Sequence, residues 1–154
     1  MVYLEIIPGI KNIVFANRLL LDLLFGNPPF FITETTGGIT HFKGIGGANT
    51  IRGIPEYRYL GNIKLIVSPE IRCRIWDFNI SGLPYFNGPW HIELVGFTDI
   101  GNVWQSLNTL NLSFHISYGI GLKILWKEDS IYSFDFSFWN GKFGGVYIGF
   151  GHHY

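Results

Sequence analysis

One arginine in a long connecting segment has the clearest chemical role in this chain. Arg52 lies in the stretch GGANTIRGIPEYRY, residues 46–59, between the apolar residues Ile51 and Ile54. Surface loops usually tolerate many residue types, so a cation between two isoleucines indicates a segment that packs against the protein. The planar guanidinium of arginine binds a carboxylate through two parallel hydrogen bonds. We therefore expect Arg52 to bind a carboxylate in a partly buried structural site.

The other reactive side chains form no catalytic or metal-binding pattern. His152 and His153 are adjacent, so on a strand their side chains point to opposite faces. Glu93 and Asp99 share a predicted strand face but have no evident acid–base partner, and no G-x-S-x-G nucleophile motif occurs. The remaining histidines are isolated in the sequence: His41, His91 and His115. The sequence therefore predicts no catalytic residue, no metal site and no cofactor.

The composition is unusual for one soluble domain of 154 residues. Charged residues make up 14% of the chain, against about 25% in typical soluble domains. Aromatic residues reach 18%, and Lys+Arg and Asp+Glu are equal at 11 each. The charge balance gives no footprint of nucleic-acid binding. We expect much of the surface to be covered by a partner or by lipid.

The sequence contains no candidate for a helical membrane anchor. The longest apolar stretch, residues 18–25, is short and contains Asp22, whereas a spanning helix needs about 18 apolar residues or more. The single Cys73 excludes a disulfide within the chain. Met1 is followed directly by VYLEIIPG, without the basic region and cleavage site of a signal peptide. If the protein lies beyond the inner membrane, we expect this chain to be a mature form or part of a longer protein.

The strongest pattern is alternation with a period of two, which predicts strands. In NLSFHISYGIGLKILW, residues 111–126, the even positions are apolar and the odd positions are small or polar, except Leu125. Strands of globular proteins usually have about 3–10 residues. Tilted membrane strands alternate apolar-out and polar-in over about 9–11 residues. The pattern is therefore typical of a transmembrane β-barrel.

Similar alternation recurs in residues 62–76, 91–101, 130–139 and 144–154. Residues 11–26 are less regular, and part of this segment is compatible with a short buried helix. The polar face carries many charges: Glu70, Arg72, Arg74, Glu93, Asp99, Lys123 and Asp135. Charged and apolar faces on the same strands favour a barrel with a polar interior, although a soluble sheet with paired apolar faces stays open as an alternative.

Residues 26–60 form a connection far longer than the usual limit of about 12–15 residues. The segment is too apolar for disorder, and Gly46 and Gly47 permit sharp turns. We expect it to fold into the lumen, where Arg52 meets the polar face. Glu70 points inward by alternation and is a candidate partner.

Two motifs resemble those of the bacterial surface antigen family. The V/I-R-G-F/Y loop tip is matched by residues 51–54, IRGI. The F-x-D-x-G motif is matched by Phe97, Asp99 and Gly101. The family comprises outer-membrane assembly and translocation proteins: BamA- and TamA-type insertases, two-partner secretion transporters, and barrels fused to patatin-like phospholipases. The resemblance extends over nearly the whole chain.

The resemblance implies roles for individual residues. In the family the tip arginine lies inside the barrel and pairs with the motif aspartate, which here are Arg52, followed by Gly53, and Asp99. Ile54 replaces the aromatic residue that the family prefers, so aromatic packing beside the arginine is not implied. Tyr154 replaces the usual terminal Phe or Trp and keeps an aromatic end. A weak first-to-last strand seam is another family feature, and glycines weaken strand pairing; in the last strand these are Gly149 and Gly151.

The predicted fold is all-β. We expect residues 1–154 to form a transmembrane antiparallel β-barrel segment of about seven or eight strands. A closed eight-stranded barrel is filled by its own side chains, so it has no room for residues 26–60. The resemblance implies that the chain is the C-terminal half of a larger barrel of about sixteen strands. A short form that closes its edges with a second copy is the alternative.

The implied function is a non-enzymatic role in the bacterial outer membrane: assembly or insertion of outer-membrane proteins, or translocation of polypeptides. The alternative is a barrel that anchors or translocates an upstream patatin-like phospholipase or another passenger. The expected partners are outer-membrane lipid, the remaining barrel strands or a second copy, and client polypeptides, but no nucleic acid.

Overall fold

The structure, a computed structural model, describes residues 2–5, 12–36, 39–82, 85–127 and 130–152. It is all-β and antiparallel, as predicted. The strands are β1 (Val2–Glu5), β2 (Ile13–Leu23), β3 (Thr35–Thr36), β4 (Ile39–Lys43), β5 (Ile63–Ile80), β6 (Gly88–Trp104), β7 (His115–Trp126), β8 (Ser130–Trp139) and β9 (Lys142–His152). One four-residue helix, α1 (Phe30–Thr33), precedes β3. No helix in these ranges is long and apolar enough to cross a membrane.

Seven strands form one sheet in the order β1-β2-β5-β6-β7-β8-β9, and β3 and β4 form a separate hairpin. Neighbours are antiparallel throughout. Within the described residues, β1 and β9 do not pair with each other, so the sheet is open. The long connections lie at one end of the sheet, which we call the loop end, and the turns after β5 and β7 lie at the opposite turn end.

Two predicted segments, residues 11–26 and 111–126, have different bounds or a clearer assignment in the structure. Residues 13–23, which also fitted a short helix in part, are strand throughout and pair with β5 from Ile13↔Cys73 to Leu23↔Ile63. The strand predicted over residues 111–126 begins only at His115. The physical reason is that Asn111 binds side chains of β6: its carbonyl oxygen accepts hydrogen bonds from Asn102 Nδ2 at 3.3 Å and Trp104 Nε1 at 3.0 Å.

The sheet is turned inside out relative to a soluble sheet. On β7, Ile116 and Ile120 are 51% and 59% exposed, whereas Lys123, on the other face of the same strand, is 8% exposed. On β6, Asp99 is completely buried while Leu94 is 49% exposed. The alternation in the sequence therefore separates an exposed apolar face from a covered polar face, as predicted.

The cover of the polar face is residues 44–61, which we call the inner loop. Its residues Ile45, Ile51 and Ile54 are fully buried and form the hydrophobic core with Ile66 of β5. Ile66 was not expected there, but its even position places it beside Lys64 and Ser68 on the polar face. The only core cluster of the described residues thus lies between a loop and a charged sheet face, because the opposite face is left exposed.

Candidate functional site: an arginine clamp on the polar face

Glycines and one threonine shape the inner loop. Gly46 and Gly47 have φ values of +129° and +91°, a region that other residues rarely adopt. A Cβ atom on Gly46 would lie 1.9 Å from the carbonyl oxygen of Pro55. The Thr50 hydroxyl accepts a hydrogen bond from Gly46 N at 2.8 Å and donates one to Gly46 O at 2.7 Å. This compact turn holds the following residues at the tip, including Arg52.

Arg52 binds Asp99 of β6 through three hydrogen bonds. Its Nε donates to Asp99 Oδ2 at 2.8 Å and its Nη2 donates to Asp99 Oδ1 at 2.9 Å, so the side-chain contact is bidentate. The backbone N–H of Arg52 also donates to Asp99 Oδ2, at 3.0 Å. The predicted contact between these residues is therefore present, and both are buried.

Two further carboxylates approach the same guanidinium. Nη1 of Arg52 donates to Asp135 Oδ2 of β8 at 2.9 Å and lies 3.2 Å from Glu70 Oε1 of β5. Glu70 was predicted as a partner, and Asp135 was recognised only as one charge on the polar face. The alternation pattern placed Asp135 on the polar face. Its contact with Arg52 could not be predicted from that pattern, because it depends on where β8 lies in the sheet.

An aromatic ring completes the arginine site, although Ile54 supplies none from the loop tip. The guanidinium carbon of Arg52 lies 3.4 Å from the centre of the Phe97 ring. Arginine stacks well on aromatic faces, and such contacts are stronger when water is excluded. The ring comes from β6 rather than from the inner loop, and it belongs to the same F-x-D-x-G motif as Asp99.

Each fixed residue of that motif contacts the loop tip. A Cβ atom on Gly101 would lie 2.7 Å from Ile51 Cδ1 and 2.8 Å from Leu65 O. Only glycine leaves this space, so Gly101 admits Ile51 while Phe97 and Asp99 hold Arg52. We call Arg52 together with Phe97, Asp99, Asp135 and Glu70 the arginine clamp.

The loop tip also reaches the last hairpin. The backbone N–H of Gly53 donates to Tyr147 Oη of β9 at 2.8 Å. A Cβ atom on Gly144 would lie 2.5 Å from Gly53 Cα, so the two backbones approach too closely for a side chain. The inner loop is thereby fixed to β5, β6, β8 and β9.

Electrostatics keep the clamp charged. Burial alone would lower the pKa of Arg52, but the hydrogen bonds and charge of Asp99, together with Glu70 and Asp135, raise that pKa above its usual value. Glu70 Oε2 also accepts hydrogen bonds from Lys123 Nζ at 2.7 Å and Arg72 Nη2 at 2.9 Å. Three cations therefore meet three carboxylates, which offsets the large cost of burying each charge.

The arrangement holds the loop. All hydrogen bonds of Arg52 go to carboxylates in fixed positions. Within the described ranges, no three or more His, Cys, Asp or Glu residues are placed to hold a metal ion.

The residues predicted for the last strand lie apart from the clamp. Gly149 pairs with Ser133 and Gly151 pairs with Ile131 across β8 and β9. A Cβ atom on Gly149 would lie 2.4 Å from Ser133 Oγ, so this glycine permits close approach of the two strands. Tyr154 lies outside the described residues, and the weak seam stays a prediction.

No protein-family model, curated protein or solved structure matches this chain. The resemblance to surface antigen proteins therefore depends on the two motifs.

Proposed function

We propose that this chain forms part of a bacterial outer-membrane β-barrel that assists the assembly or translocation of polypeptides, without enzymatic activity. One observation carries the proposal: a loop-tip arginine is held by the aspartate of an F-x-D-x-G motif on the covered polar face of a sheet whose other face is apolar and exposed.

The exposed face supports contact with lipid hydrocarbon. Its side chains include Leu19 at 67%, Ile120 at 59% and Ile148 at 75% exposure, on three different strands. Soluble proteins rarely expose an apolar surface that extends over so many strands. Lipid tails would cover it without any further protein.

Aromatic side chains are placed in two bands across this face. At the turn end, Trp90 and Trp126 stack with ring centres 5.7 Å apart. Near the loop end, Tyr118 and Phe138 stack at 5.9 Å. Tyr118 and Trp126 are separated by about 26 Å along β7, or about 20 Å across the membrane at the usual tilt. The distance between the two aromatic bands is therefore close to the height of the apolar belt of outer-membrane barrels, which is roughly 25 Å.

The open edges favour a partner in the membrane. Backbone N–H and C=O groups of an edge strand have no water to bind within lipid, so a spanning sheet must close. The remaining strands of a larger barrel or a second copy would pair with β1 and β9. The clamp, together with the bond from Gly53 to Tyr147, would hold the inner loop to β5, β6, β8 and β9 as one body, so that opening is confined to an edge.

A pair of arginine substitutions tests the membrane contact. We expect Ile120→Arg, in the middle of the exposed face, to destabilise the folded protein in phospholipid vesicles by about 2–4 kcal/mol. Leu112→Arg is the matched control, because Leu112 is 89% exposed but lies outside the strands. Urea unfolding in vesicles, followed by heat-modifiable gel mobility, measures both. Equal stability of the two variants would refute lipid contact at this face.

The assembly role is tested with a defined client. Vesicles containing the chain are mixed with a urea-denatured eight-stranded outer-membrane protein, and folding of the client is followed by gel mobility. We expect faster folding than in vesicles that contain an unrelated small barrel at the same protein-to-lipid ratio, which controls for bilayer defects. The same rate in both would refute an assembly role even if the chain is correctly inserted.

A further inference from the structure

A cleft beside the arginine clamp has no role in the function proposed above. It has a volume of about 180 Å³ and lies between β2, β5, β7 and the inner loop. Small side chains leave this space open, namely Ala16, Ala48 and Ser68. One amide, four cations and one carboxylate complete the lining: Asn17, Arg18, Arg52, Arg72, Lys123 and Glu70.

The lining of the cleft is mostly cationic, with four positive side chains and one carboxylate. Arg52 is neutralised from behind by Asp99 and Asp135, and Arg72 and Lys123 both bind Glu70. Arg18 is therefore the lining cation that no described carboxylate binds.

Arg18 is a cation held by neutral groups. Its guanidinium donates to Asn49 O at 2.8 Å, Thr50 O at 3.1 Å and Ser68 Oγ at 3.3 Å. Among the described residues, no carboxylate forms a salt bridge with it. These bonds use three of the five N–H groups of an arginine, and no bond within the described residues uses the other two. They also fix the position of the guanidinium at the cleft wall.

Lys123 of β7 contributes further hydrogen-bond donors on the other side of the cleft. Its ammonium group donates to Glu70 Oε2 at 2.7 Å and has three N–H groups in all. A point charge with rotatable donors and a fixed guanidinium fork are a suitable pair for the oxygens of a phosphate group. The cleft volume equals that of several water molecules at about 30 Å³ each, which is enough for such an anion.

We propose that this cleft binds a small tetrahedral oxyanion of the phosphate class, with Arg18 and Lys123 as its principal ligands. The anion is either free phosphate or the phosphate of a lipid headgroup, since both present the same oxygens. The site does not depend on an assembly role, because it is defined by the folded inner loop alone.

Isothermal titration with inorganic phosphate tests the site, in the detergent or buffer in which the chain folds and at constant ionic strength set with chloride. We expect Arg18→Met to raise the Kd at least about tenfold, because a hydrogen bond to a charged group is lost. Arg74→Met is the matched control: this arginine lies on the same strand face but does not line the cleft. Its Kd should stay within about twofold of the wild type.

A second pair of variants keeps the test independent of Arg18, which also holds the loop. Ala48 is exposed and lines the cleft. We expect Ala48→Glu to place a carboxylate there and to abolish binding of the anion, while Ala48→Gln, equal in size, still binds. Retained binding in Ala48→Glu would overturn the proposal, as would a wild type that binds neither inorganic phosphate nor the phospholipid titrated below.

A parallel titration with phosphatidylglycerol in mixed micelles distinguishes free phosphate from a lipid headgroup. Binding of inorganic phosphate supports a free anion. Binding of the lipid alone, with the same dependence on Arg18 and Ala48, supports a headgroup. Lack of an Arg18-dependent signal in both titrations would contradict the site.

Discussion

The two halves of the long connection between β2 and β5 differ sharply, although both are rich in apolar residues. In the first half, Phe30 is 75% exposed and Phe31 is 57% exposed. In the inner loop, Ile45, Ile51 and Ile54 are fully buried. Apolar content therefore did not decide which half packs on the sheet.

Directed polar contacts distinguish the halves. The inner loop has Arg52 on three carboxylates and a Thr50 hydroxyl that closes its turn. In the first half, the hydroxyl of Thr33 donates to the carbonyl of Phe30 in the same short helix, and one neutral acceptor, Thr35 O, binds Lys64 Nζ of β5. The hydrophobic effect has no direction, whereas a bidentate ion pair fixes position. Burial of the isoleucines follows from where the arginine is held.

The largest expected effect comes from removing the arginine. We expect Arg52→Met to lower the free energy of unfolding by about 3–5 kcal/mol, because buried carboxylates lose their partner. Arg58→Met, on the exposed part of the same loop, should change it by less than about 0.5 kcal/mol. Urea unfolding of both proteins measures the difference. Similar stabilities would mean that the clamp does not hold the inner loop.

A glycine in each half gives the next effect. Gly46→Ala should cost roughly 2–4 kcal/mol, because its φ is +129° and its Cβ would meet Pro55 O. Gly26→Ala also has a positive φ, +83°, but open space around it, so we expect a loss of about 1 kcal/mol. Thermal unfolding in parallel compares them. A larger loss at Gly26 would reverse the comparison between the halves.

A threonine in each half sharpens the comparison further. Thr50→Val removes both hydrogen bonds to Gly46 and leaves a buried N–H without its acceptor, which should cost about 1–3 kcal/mol. Thr33→Val removes an exposed bond to Phe30 O and should cost less than about 0.5 kcal/mol. The free energies of unfolding of the two variants measure this difference. Equal losses would contradict the expectation that Thr50 stabilises the fold more than Thr33.

The smallest effect is expected at the exposed aromatics. Phe31→Ser should change the free energy of unfolding by less than about 0.5 kcal/mol, since the side chain has little to pack against. The same urea series measures it. A loss above 1 kcal/mol would show that the first half also packs against the folded protein.

The sequence predicted the strands and the central contact, for physical reasons. Alternation places Asp99 and Glu70 on one face, which made a carboxylate partner for Arg52 predictable, and the choice of Asp99 came from the resemblance to the family motif. Phe97 was also expected at this site through its motif, whereas the support from Asp135 was not, because it depends on how β6, β7 and β8 are aligned. The register shift between Arg74 and Trp76 shows the same limit, since a bulge leaves no clear signal in an alternating sequence.

The clamp joins residues that lie far apart in the chain. Arg52 bonds to partners 47 and 83 residues further along, and closing such long loops has an entropic cost. The complete set of bonds needs β5, β6 and β8 together, because each supplies one carboxylate. A complete clamp therefore exists only in a chain that has folded as far as β8, and a chain without β8 would leave Arg52 without one of its carboxylates.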